Sequence, residues 1–83
     1  METIIELAEK LKAQGFAKSE SPFSFGNRVL CEIRNELGLT PIRTDNNRAC
    51  YSPSDIGMME EEFFRLVRAK KYYDKHERDR EIE

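Results

Sequence analysis

Residues 39–55 read Leu-Thr-Pro-Ile-Arg-Thr-Asp-Asn-Asn-Arg-Ala-Cys-Tyr-Ser-Pro-Ser-Asp, and this stretch cannot stay helical between its two helix-patterned neighbours. Pro41 keeps the residue before it out of helical dihedrals. Asp45, Asn46 and Asn47 tolerate left-handed backbone and make side-chain turns. Ile42 to Thr44 and Arg48 to Tyr51 are strand-capable, which predicts a β-hairpin with Arg43 on one arm and Arg48 on the other. Ser52 then caps the next helix, with Pro53 at its first position and Asp55 completing a box-like Ser-x-x-Asp. The chain is thereby held to a mainly α fold with one small hairpin.

The flanking segments carry helical periodicity. Thr3-Ile4-Ile5-Glu6 is a capping box, and Ile4, Leu7, Ala8 and Leu11 follow at helical spacing. Gly15 suits a left-handed helix end, with Phe16 placed to fold back after it. Helix one is therefore expected from Ile4 to Gln14, as a packing helix. A connector over residues 16–24 offers two starts for the next helix, Ser21-Pro22 or Ser24.

Helix two is expected from Phe25 to Leu37, with Gly38 ending it. At about 100° per residue, Phe25, Val29, Leu30, Ile33 and Leu37 share one arc. Ser24, Asn27, Arg28, Cys31, Arg34 and Asn35 fall on the opposite side, which holds no carboxylate. Arg and Asn are the side chains that pair bidentately with guanine and adenine edges.

The last helix is expected to be long, about 25 residues from Pro53, on the spacing of Ile56, Met59, Phe63, Leu66 and Tyr73. Phe64 and Val67 widen that stripe. An 83-residue domain leaves little to cover its later turns, so Phe63, Leu66, Val67 and Tyr73 are expected to form a homodimer interface. Apolar residues nearly vanish after Lys75. The expectation is one domain over residues 1–75 and a frayed, charged end over 76–83.

Net charge is -2, but it is unevenly spread: residues 1–9 carry -3, 10–51 carry +3 and 52–83 carry -2. The basic middle, which includes the hairpin, points to an anionic partner. Cys31 and Cys50 are far apart, with no CxxC pattern and a single His76, so no metal site is expected. Cys50 reads as a buried small hydrophobe, and Ile42 is expected to pack inward beside it. No secretory, membrane-spanning or lipidation pattern is apparent, and the expectation is a soluble cytoplasmic protein without cofactors.

Leu37-Gly38-Leu39, Pro41-x-Arg43-Thr44-Asp45-Asn46-x-Arg48 and Tyr51-Ser52-x-x-Asp55-Ile56 together resemble one segment of MerR-like and excisionase-like winged helix-turn-helix proteins. The resembling segment joins recognition helix, wing and following helix. It implies double-stranded DNA as partner, helix two in the major groove, Arg43 and Arg48 on phosphates, and dimerisation through a helix after the wing. Ser24, Asn27, Arg28, Cys31 and Arg34 match the family's reading face by location and not by motif. This sequence departs from the family in its long first connector and in Ala49-Cys50 before Tyr51.

The leading expectation is a small sequence-specific DNA-binding protein, either a transcriptional regulator or an excisionase-like factor of a phage or mobile element. The competing one is a protein-interaction module, an inhibitor or adaptor presenting Glu60, Glu61 and Glu62 to a basic partner. An enzyme is the weakest reading, because the one histidine, His76, lies in the expected frayed end and no Gly-rich phosphate loop or paired-carboxylate pocket is visible.

Overall fold

Thr3 begins two elements at once. It pairs with Cys50 as the end of strand β1 (Glu2–Thr3) and caps helix α1 (Ile4–Ala13). The capping box forms as expected: Glu6 N–H donates to Thr3 Oγ1 at 3.2 Å, and Thr3 N–H donates to Glu6 Oε1 at 3.0 Å. In this computed structural model, which describes residues 2–45 and 48–74, α2 (Pro22–Phe25), a π-helical turn (Gly26–Leu30) and α3 (Cys31–Leu37) follow. The three run on as one rod over residues 22–37. Strands β2 (Arg43–Asp45) and β3 (Arg48–Tyr51) precede α4 (Pro53–Arg68). The architecture is mostly helical with a small antiparallel sheet of order β1-β3-β2. The turn expected at Asn46 and Asn47 and the frayed end over 76–83 lie outside the described residues.

Of the two expected starts for the rod, the chain uses Ser21, whose side chain accepts from Ser24 N–H at 3.1 Å, with Pro22 in the first turn. The rod crosses α1 at Gly26, where a Cβ would meet Ile4 Cγ2 at 3.2 Å. An alanine there would need the Ile4 methyl to give by a few tenths of an ångström.

One core serves every helix. Leu7, Leu11, Leu30, Met59, Phe25, Phe63 and Tyr51 are its largest fully buried side chains. Each such aliphatic or Phe side chain contributes about 1.5–3 kcal/mol by leaving water. At one end Phe16, Phe25, Phe63, Phe64 and Tyr72 meet edge to face, with Phe16 and Phe63 ring centroids 5.0 Å apart at 89°.

Two sequence expectations are corrected here, and a third is narrowed. The last helix stops at Arg68, and the chain reverses through Lys70 at φ +57°. Lys71 N–H reaches back to Leu66 O at 2.9 Å and Lys70 N–H to Val67 O at 3.1 Å, the same two-bond ending that Gly15 and Gly38 give the earlier helices. Tyr72 thus returns to the core, 4.8 Å from the Phe63 ring.

Of the four residues expected at a homodimer interface, one is taken up fully within the chain and three only in part. Phe63 is fully buried, Leu66 and Val67 are half-buried against the same core, and Tyr73 is half-buried in the returning segment. Finally, Ile42 faces solvent at 58% exposure while Cys50 is buried, because Ile42 precedes the ladder and only its N–H joins it, to Cys50 O at 2.8 Å.

Candidate nucleic-acid interface

The rod and the sheet enclose a groove of about 210 Å³ lined by Thr3, Ile4, Ile5, Phe23, Asn27, Cys31, Arg34, Arg48, Ala49 and Tyr51. Thr3, Ile4 and Tyr51 are its buried lining residues, and Phe23, Asn27 and Arg48 its exposed ones. No carboxylate is among these lining residues.

Asn27, Cys31 and Arg34 reach it from the rod, and Arg48 reaches it from the hairpin. Cys31 Sγ lies 3.8 Å from Asn27 Oδ1. Arg34 is held from both sides: Nη1 donates to the Tyr51 hydroxyl at 3.1 Å, and Nε and Nη2 donate to Asn35 Oδ1 at 3.2 and 3.0 Å. The Tyr51 bond pushes the guanidinium pKa upward against the opposing effect of burial, so the charge is firmly kept. The Arg48 guanidinium sits 5.8 Å from the centroid of the Phe23 ring, a separation at which a cation is attracted to an aromatic face.

Two residues of the expected reading face go elsewhere. Arg28 forks onto Glu20, with Nε 3.2 and 3.0 Å from the two carboxylate oxygens and Nη2 2.5 Å from Oε1. Its guanidinium also lies 5.9 Å from the Tyr72 ring centroid. Ser24 Oγ donates to the same carboxylate at 3.0 Å. The partner that draws them lies before the rod: Glu20, Ser24 and Arg28 share one row of the helix surface, beside the row of Asn27, Cys31 and Arg34. Between these rows the rod carries a wide turn, in which Cys31 N–H bonds to Gly26 O, five residues back. Arg43 is exposed on the outer strand β2, opposite Cys50, and is not part of the groove wall.

Sequence reasoning missed Glu20, Phe23 and Tyr51. Once the rod is started at Pro22, the steps of four, four and three from Phe23 to Asn27, Cys31 and Arg34 mark one stripe. Glu20, Ser24 and Arg28, each four apart, mark the neighbouring one.

A second hollow, about 540 Å³, lies between Leu37 and α4, lined by Met58, Glu61, Glu62, Phe64, Arg65 and Arg68. It is the larger of the two, yet its paired acids make it unsuited to phosphate. Arg65 is already bound to Glu62 there, Nη2 to Oε2 at 2.5 Å. No helix among the described residues is long and apolar enough to cross a membrane. No protein-family model, curated protein or solved structure matches the chain.

Proposed function

We propose that this chain is a winged helix-turn-helix DNA-binding protein, with the 22–37 rod in the major groove and the β2–β3 hairpin as the wing. More narrowly, the resemblance of residues 37–56 to MerR-like and excisionase-like proteins makes it a small regulator or recombination factor. The observation that carries the reading is the convergence of Asn27 and Arg34 from the rod with Arg48 from the hairpin on one carboxylate-free groove. Phosphate contacts fix register and base-edge contacts specify sequence. Arg48, at the wing, suits the first role. Asn27, on the first half of the rod where recognition helices meet bases, suits the second.

Arg28 belongs to the scaffold in this reading, and the site is correspondingly less cationic than the sequence implied. Few phosphate contacts mean modest non-specific affinity and a shallow salt dependence. A random-duplex selection with the purified protein tests the reading. Enrichment of a common sequence is expected, with Arg34→Ala and Arg48→Ala each binding it at least fivefold more weakly while keeping native circular dichroism. A pool that never enriches overturns it.

One observation favours a second reading, a protein-interaction module. Met58 is 43% exposed beside half-buried Leu37 and Phe64 in the hollow against α4. Should selection fail, that surface is the one to pursue.

A further inference from the structure

Four of the five phenylalanines join the core, and Phe23 does not. It stands in the first turn of the rod at 55% exposure, and the Arg48 guanidinium lies 5.8 Å from its ring centroid. The cation holds the ring on one side and leaves the rest of it to solvent. Asn27, also exposed, is one turn further along the same stripe and lines the same groove.

Resting on the DNA reading above, we infer that Phe23 and Asn27 together read an A·T pair, Phe23 packing on the thymine methyl and Asn27 pairing with adenine. In the major groove only thymine presents a methyl group, and adenine presents the acceptor–donor pair N7 and N6 that an Asn amide matches bidentately. Four residues of helix separate the two side chains by about 6 Å, less than two base-pair steps of about 3.4 Å. Both groups therefore fall on one pair or on adjacent pairs. Arg48, beside Phe23 on the hairpin, then faces the flanking phosphate. A duplex suits the groove better than an acidic peptide. The exposed part of the site offers an aromatic edge and an amide at base-step spacing, with the cation to one side.

The test uses the duplex obtained by selection and the full chain. Each thymine is replaced in turn by uracil, which removes only the methyl, and each adenine by 7-deazaadenine, which removes only the N7 acceptor. Affinity is read by fluorescence anisotropy. At one position uracil is expected to weaken binding about fourfold, the worth of one buried methyl-sized group. In the same or the adjacent pair, 7-deazaadenine is expected to weaken it about tenfold. Phe23→Ala should become indifferent to uracil, and Asn27→Ala indifferent to 7-deazaadenine.

Because the analogues alter the DNA alone, a wild-type series that tolerates them overturns the inference even if a variant folds poorly. A selected site that tolerates uracil throughout, or a Phe23→Ala protein that keeps the uracil penalty, overturns this inference and leaves the DNA reading standing. Loss of all binding in Phe23→Ala with uracil tolerated by wild type also overturns it, in favour of the ring wedging between bases or contacting a protein. Failure to select any DNA removes both.

Discussion

Glu20 and Arg28 form a forked ion pair at the start of the rod, and the two partners differ sharply in their access to water. The Glu20 side chain is 2% exposed and the Arg28 side chain 22%. The carboxylate bond also pushes the Arg28 pKa upward against the opposing effect of burial. An unpaired buried charge costs most where water cannot reach it. Arg28→Ala, which takes the guanidinium away from a buried carboxylate that keeps the Ser24 hydroxyl, is expected to cost the more, about 3 kcal/mol. Glu20→Ala, which leaves a guanidinium still partly hydrated, is expected to cost about 1–3 kcal/mol. Urea unfolding of the two variants checks the order; equal losses would mean that Arg28 finds no more water than Glu20.

The same corner of the fold gives an alkaline signature. Burial pushes the Tyr72 phenol well above its ordinary pKa, its hydrogen bond to Asp74 Oδ1 at 2.7 Å adds to this, and Arg28 pulls the other way. The unfolded chain releases that proton first, near pH 10. The phenol's contribution is therefore whole below about pH 10 and is lost as pH climbs towards the folded-state value. Stability of the wild type should fall through this range more steeply than that of Tyr72→Phe. Parallel curves in urea melts at successive pH values would remove Tyr72 as the cause.

Local chemistry was legible in the sequence; long-range returns were not. Thr3 with Glu6, the Ser52 cap on Asp55 N–H, and Gly15 and Gly38 at helix ends all act within five residues, and each forms as its spacing implies. Strand β1 has two residues, too few for any periodicity to register. Arg28 pairs with Glu20, which precedes the rod, so a helical face drawn from the rod alone does not contain that partner. The end of α4 was hidden for another reason: its left-handed position is a lysine, where a glycine would have announced the stop.

That lysine is itself a prediction. Lys70 adopts φ +57° and is exposed, a conformation in which a Cβ is strained and glycine is not. Lys70→Gly is expected to stabilise the chain by about 0.5–1 kcal/mol, the gain being reduced by glycine's greater freedom when unfolded. A thermal melt that shifts downward would show that the Lys70 side chain contributes more than its backbone costs.

Arg48 and Arg34 should fail differently when altered, because one is exposed at the wing beside the Phe23 ring and the other is fixed by hydrogen bonds on both sides. Arg48→Ala is expected to weaken binding to all duplexes alike and to lower the salt slope by about 1, the behaviour of a phosphate contact. For Arg34 the informative change is Tyr51→Phe. It keeps the buried ring and removes the hydroxyl that accepts from Arg34 Nη1 at 3.1 Å. Loss of one such bond changes stability by about 1 kcal/mol. The guanidinium, then held by Asn35 alone, must be ordered further at the moment of binding, which costs about 0.5–1.5 kcal/mol, or roughly twofold to tenfold in affinity for the selected duplex. An unchanged affinity in Tyr51→Phe, with Arg34→Ala still impaired, would show that Arg34 binds from an orientation other than the one Tyr51 holds.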